Sequence, residues 1–306
     1  LDGLCTSPPR LQKFEPHPLH PFVYYSIKHL LKTLRYHLRR AQAARKWAPS
    51  NLRAMPAVLG NAMPKSGSHL LIQILEGLTE LGPFVNPGFP PVNRWEDNTK
   101  LPDEKVLTEI RAMHPGDIRY GYLHAEEPWL SAVTGPGRAT LFVSRDPRDW
   151  VISQIFYAKD MHEGHMLHEY YNALPDMESR INAAIEGVKT PEVFAPSVVE
   201  RYSHYLGWLD TPGVLCLRFE DLILNRDATL HKILDYLTTF NFQPSTSRSE
   251  SITTLSASIA PRKSGTFRKG QPGNWREHFT EGNVARFKEV AGELVRRLGY
   301  EEGVDC

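Results

Sequence analysis

Apolar residues recur along this chain in two rhythms. Over residues 22–47, Ile27, Leu30, Leu31, Leu34 and Leu38 return at helical spacing with the basic residues largely elsewhere on the wheel, so one long amphipathic helix is predicted. From residue 57 the rhythm changes to short apolar runs alternating with longer helical patterns. Strands are predicted at 57–63, 118–123, 139–144 and 214–219, and helices at 69–81, 151–157, 198–209, 230–240 and 284–298. Asp146 suits the N-cap of the second of these helices and Pro147 its first turn. Residues 1–21, rich in Pro and His, predict an irregular arm. The stretches 82–103, 159–176 and 243–279 predict loops. Apolar strands alternating with helices point to an α/β fold, a central parallel sheet with helices on both faces. The expected division is an arm with its basic amphipathic helix at 1–55 and a catalytic domain at 56–306.

Composition alters this picture in three places. The 306 residues carry 36 Lys+Arg against 35 Asp+Glu, a formal net charge of +1, so no overall attraction to a polyanion follows and no nucleic-acid partner is expected. The distribution is uneven: no acidic residue lies between Glu15 and Glu76, while Lys28, Lys32, Arg35, Arg39, Arg40, Arg45 and Lys46 crowd the first helix. That helix offers two contacts, a peripheral one with an anionic membrane or a packed one through its Leu face with the catalytic domain or a second subunit; packing is the expectation. Three cysteines, Cys5, Cys216 and Cys306, are too few and too odd in number for a disulfide framework, and they fit a reducing, cytoplasmic setting.

Three segments carry anion chemistry. Met63-Pro64-Lys65-Ser66-Gly67-Ser68-His69 joins a strand to a helix, where backbone N–H groups and the helix dipole converge on one point. Its Lys precedes its Gly, so the nucleoside-triphosphate loop Gly-x4-Gly-Lys-Ser/Thr is absent. Ser144-Arg145-Asp146-Pro147-Arg148-Asp149 follows a second strand, with Ser153 about two turns into the next helix. Taken alone, Arg145 would pair with Asp146 or Asp149 at the surface. Phe267-Arg268-Lys269-Gly270 leads through Gly273 and Asn274 to Trp275, a basic loop suited to a terminal phosphate.

In this order the segments resemble the sulfotransferases that use 3′-phosphoadenosine 5′-phosphosulfate (PAPS), the cytosolic type in particular. That family carries Pro-Lys-Ser-Gly-Thr-Thr-Trp where this chain has Pro64 to Leu70. It carries an Arg-Asn-Pro-x-Asp segment with a Ser eight residues after the Arg, as Arg145 and Ser153 are spaced. It carries Phe-Arg-Lys-Gly-x-x-Gly-Asp-Trp where Phe267 to Trp275 stand, and Tyr-Glu-Asp where Phe219-Glu220-Asp221 stand. The resemblance spans roughly residues 56–290. It implies that Lys65, Ser66, Gly67, Ser68 and His69 hold the phosphosulfate. It implies that Arg145, Ser153, Arg268, Lys269 and Gly270 hold the 3′-phosphate, with Phe219 and Phe267 in the same nucleotide site. Two anions far apart on one nucleotide need two cationic clusters, whereas ATP needs only the first.

The resemblance also implies a catalytic base after the strand at 118–123, a place that His124 fills, with Lys65 stabilising the leaving phosphate. No metal is expected to be required. The acceptor implied is a small molecule bearing a hydroxyl or amine, bound by loops at 82–100, 159–176 and 243–262. His162, His165 and His168, spaced by three, read as part of such a loop rather than as a metal site. The chain departs from the family at Leu70, Tyr122, Asn274 and Phe219, and keeps only Thr280 of the dimerisation motif, which marks a divergent branch. Two other readings remain beside this one. A nucleotide-dependent phosphotransferase would need the loop that residues 63–69 do not match, together with a magnesium carboxylate. A non-catalytic anion- or membrane-binding module would use the basic helix and transfer nothing.

Overall fold

A computed structural model describes residues 21–86, 88, 91–94, 99–260 and 270–300. The apolar run at 57–62 becomes strand β1 (Ala57–Ala62), buried along its whole length. Its side chains alternate between two cores: Val58 and Ala62 enter one, Leu59 and then Met63 the other. β1 pairs in parallel with β2 (Ile118–Gly121) on one side and β3 (Arg138–Ser144) on the other. The short pair β4 (Val188–Lys189) and β5 (Phe194–Ala195) forms a separate antiparallel ribbon. β6 (Val214–Arg218) then adds in parallel to β3, completing a sheet of order β2-β1-β3-β6.

Two helices precede this sheet, α1 (Pro21–Trp47) and α2 (Pro49–Ala54). Three cover the first connections: α3 (Ser68–Leu81), α4 (Asp103–Arg111) and α5 (Trp129–Val133). Between β3 and β6 run α6 (Pro147–Phe156), a single π turn at Tyr157–Met161, α7 (His168–Ala173), α8 (Met177–Glu186) and α9 (Val198–Leu206). After β6 come α10 (Phe219–Leu224), α11 (Arg226–Thr238), α12 (Arg248–Ser258) and α13 (Glu281–Arg297). One core joins Val58, Leu141 and Val143 to Leu71, Ile74, Leu75 and Leu78 of α3 and to Leu230, Ile233 and Leu255 of α11 and α12. The other joins Leu59 and Phe142 to Val151, Ile155, Ile181, Tyr202 and Phe287. Helices therefore cover both faces of a parallel sheet, as the alternation predicted.

Several expectations need correction. The stretch 159–176 contains α7, and 243–279 contains α12; α4 and α8 arise where no helix was predicted. The N-cap at Asp146 holds, its carboxylate accepting from the Arg148 backbone N–H at 2.9 Å. The Leu face of α1 does not pack on the catalytic domain. Leu30, Leu31, Leu34 and Leu38 face solvent, and the helix docks through its polar side instead. Lys32 pairs with Glu109 at 2.9 Å. Asp117, buried, accepts from the Tyr36 hydroxyl and from Arg40 at 2.8 Å. Cys5 and Cys306 lie outside the described residues; Cys216 is a free thiol whose pKa burial pushes up to about 11.

Candidate active site

β1 ends at Ala62, and Met63 to Gly67 turn sharply into α3. Lys65 at φ 70° and Gly67 at φ 94° place two left-handed positions within three residues. At Gly67 a Cβ would lie 2.6 Å from Phe219 Cδ2, so the turn has room only for glycine. No side chain caps α3, which leaves its first amides facing outward at the positive end of the helix dipole. The indole of Trp150 donates to the Pro64 carbonyl at 2.8 Å and braces the loop from α6. Ser66 is fully buried beneath it. The Lys65 ammonium stands 3.9 Å from the centre of the Tyr157 ring. Burial, and then the nearby Arg145 cation, bring its pKa down to about 8. Burial and the Lys65 cation likewise hold His69 below its ordinary range.

β3 is the neighbour of β1, and Arg145 leaves its carboxyl end. Its guanidinium donates to the Lys65 carbonyl at 3.2 Å and lies 4.5 Å from the Phe219 ring centre. The surface pairing that a lone Arg-Asp cluster suggests does not form. Asp146 is taken by Arg148, whose Nε and Nη2 grip it at 2.9 and 2.7 Å. Asp149 turns inward, and its two oxygens accept the backbone N–H groups of Gly273 at 2.7 Å and Trp275 at 2.8 Å. Arg145 Nε is buried and meets no hydrogen-bond partner among the described residues, and the same holds for the side-chain amide of Asn274. The two donors among these atoms, Arg145 Nε and Asn274 Nδ2, are of the kind an anionic ligand satisfies. Ser153 lies one turn beyond Asp149 on the same side of α6, partly exposed.

Asp149, read from the sequence only as a surface partner for Arg145, instead ties the segment carrying Gly270, at φ 61°, to α6. Phe267, Arg268 and Lys269 lie outside the described residues. Phe219 is buried, a wall beneath Gly67 and Arg145 at the start of α10. Glu220 beside it accepts from the Asp146 N–H at 3.0 Å and the Tyr300 hydroxyl at 2.6 Å.

His124 is presented by β2. Asn61, fully buried in β1, holds Leu123 with both ends of its amide: Nδ2 donates to the Leu123 carbonyl at 3.0 Å and Oδ1 accepts its N–H at 2.8 Å. Trp208 donates to the same carbonyl at 2.9 Å. The next residue projects its imidazole into a stack with His204, ring centres 4.6 Å apart, and against the edge of Tyr205. His124 Nδ1 faces the Glu126 carboxylate at 3.5 Å. Burial and His204 lower its pKa more than Glu126 raises it. The phenol of Tyr122 donates to Ser68 Oγ at 3.2 Å, joining the strand that carries His124 to the loop that carries Lys65. A polar residue in an otherwise apolar strand was the visible sign of Asn61.

His162, His165 and His168 do not converge. His165 sits against Gln154, His168 against the Ala158 carbonyl, and the rings of His162 and His165 are 6.2 Å apart. Among the described residues no group of three or more His, Cys, Asp and Glu side chains is arranged to hold a metal. Burial and neighbouring cations bring the pKa of His165 down to about 4.

Residues 138–299 match the sulfotransferase domain model, a span that begins at β3 and so leaves out the first loop. Sulfotransferase 6B1 of Danio rerio is 25% identical over 259 residues, covering 78% of this chain and 80% of that protein. Among solved structures, mouse sulfotransferase SULT7A1 complexed with PAP aligns with TM-score 0.55 and 17% identity over 80% of this chain and 85% of its own. Retinol dehydratase, solved with androsterone and the inactive cofactor PAP, aligns with TM-score 0.51 and 14% identity over 80% and 83%. With its motifs in the family's order and more than half of its length matched, the chain belongs to the sulfotransferase domain family and is a PAPS-dependent sulfotransferase.

Proposed function

We propose that this enzyme moves the sulfuryl group of PAPS to a hydroxyl or amine of a small-molecule acceptor, with His124 as general base and Lys65 at the departing phosphate. One observation carries the reading. The loops bearing Lys65 and His124 leave the carboxyl ends of adjacent parallel strands and are tied together by the Tyr122–Ser68 hydrogen bond. The acceptor oxygen or nitrogen bonds to sulfur as the bond from sulfur to the bridging oxygen breaks. The electron pair stays with the phosphate, where the Lys65 ammonium and the uncapped amides of α3 stabilise it. The acceptor proton goes to His124 Nε2, since Nδ1 faces Glu126. A lowered pKa keeps that imidazole unprotonated and ready near neutrality.

The 3′-phosphate is assigned to Arg145 and Ser153, with the segment held by Asp149 closing over it. Tyr205 sets its ring against the His124 imidazole, an aromatic wall beside the base that favours an acceptor with an apolar body. The test is single-turnover transfer of radiolabelled sulfuryl from PAPS to a panel of phenols, alkyl alcohols and amines. His124→Ala should leave affinity for adenosine 3′,5′-bisphosphate unchanged and lower kcat by roughly 10²–10⁴-fold, less for acidic phenols than for alcohols. Wild-type rates on an alcohol would exclude His124.

A further inference from the structure

We propose that the outward face of α1 is a docking surface for an anionic lipid bilayer. A surface helix normally turns its apolar stripe to the core and its charges to water. α1 is mounted the other way round. Lys32, Tyr36 and Arg40 hold it to Glu109 and Asp117. Its apolar contact there is small: Ala43 is buried with Leu52 and Val85, and Ala44 and the Tyr36 ring lie against them. The opposite side shows Leu30 at 67% exposure, Leu31 at 44%, Leu34 at 54% and Leu38 at 56%, followed by exposed Ala41. The other exposed large hydrophobics of the described residues, Met161, Met166, Phe194 and Leu224, lie outside α1. The apolar surface is therefore concentrated on this one face.

Charge decides the occupant. Arg35 and Arg45 are exposed on the same helix, and the sequence holds no carboxylate between Glu15 and Glu76. A second copy meeting this face through its own α1 would bring cation to cation with no acid on the helix to offset them. Leu30 beside Leu31 also widens the stripe beyond the two-position seam of a coiled coil. An anionic bilayer supplies both complements, negative charge for the arginines and an apolar depth for the leucines. No helix among the described residues is long and apolar enough to cross a membrane, so α1 would lie along the interface.

The experiment is co-sedimentation of the full chain with vesicles of phosphatidylcholine alone and of phosphatidylcholine with about 30% phosphatidylserine. Binding should be at least about tenfold stronger with phosphatidylserine and fall in roughly 0.5 M salt. Leu31→Glu with Leu34→Glu should abolish it, while the thermal shift given by adenosine 3′,5′-bisphosphate stays as in wild type. Arg35→Glu, which leaves every leucine in place, should weaken it alone and keeps the test decisive if the double variant fails to fold. A wild-type chain that ignores anionic vesicles, or variants that bind like wild type, would overturn the proposal. So would a dimer that the double variant dissociates in a chain that never pellets with lipid.

Discussion

His124, the proposed base, shares its place with a second imidazole, and the pair bears on the pH at which its ring is free. Burial and the facing His204 both push the His124 pKa below 6.5, while Glu126 opposes them. A lowered pKa in a base means activity rises with pH through that lowered value and then levels. His204→Ala removes one of the three lowering causes, leaves the Lys100 cation in place, and opens the ring to water, which weakens the effect of burial. The acidic limb of kcat/KM should therefore move to higher pH, with the plateau retained. The check is a pH–rate profile of both proteins with one acceptor. A uniform loss of rate with the limb unmoved would make His204 packing only. The expectation at His124 came from motif order, since it follows a strand at the place that order requires. Asn61 showed only as a polar residue in an apolar strand, and the part of Asp149 not at all, because their work is to hold backbone N–H and carbonyl groups far away in sequence, and no spacing records that.

At the scale of elements, α6 joins the two parts of the proposed nucleotide site. Its Asp146 caps it, its Trp150 braces the first loop, and its Asp149 fastens the segment at 273–275. Asp149→Ala should release that segment. Removing a buried acceptor of two N–H groups costs about 1–3 kcal/mol, visible as a lower melting temperature. Affinity for adenosine 3′,5′-bisphosphate should fall roughly tenfold or more, about 1.4 kcal/mol per decade, with a smaller loss for 5′-AMP. Calorimetry with the two nucleotides tests this, and equal losses would detach Asp149 from the 3′-phosphate. Among the longer helices that sequence missed, α4, α8 and α12 are rich in polar residues. In α12 the serines and threonines hide a weak apolar stripe of Ile252 and Leu255, although Ser247 and Glu250 form a capping box that marks its start. For α1 the periodicity correctly predicted a helix and a stripe, but a stripe does not say what covers it. Asp117, buried and ready to accept from Tyr36 and Arg40, turned the polar side inward.

At the scale of the molecule, the sheet order explains why the motifs meet. From β1 the chain crosses to β2 on one side, and β3 then adds on the other, so the crevice opens between the carboxyl ends of β1 and β3. The Lys65 loop and Arg145 stand at those two ends, joined directly. Motif order made this much legible, since the segments at 63–69, 144–153 and 219–221 each follow a strand of one parallel sheet. The same arrangement governs refolding. β6 reaches β3 by pairing Val214 with Thr140, and it brings Phe219 beneath Gly67 and Arg145 only then. Such long-range parallel pairing closes slowly, because chain entropy is lost before contacts form. After dilution from denaturant, helical circular dichroism should return early, and the ability to bind adenosine 3′,5′-bisphosphate only in the slowest phase, followed by stopped-flow with the nucleotide present. Binding that returned with the first helical signal would contradict this order. Nucleotide added during that last phase captures molecules as the fourth strand docks, so ligand would raise the yield of refolded enzyme without quickening its earliest steps.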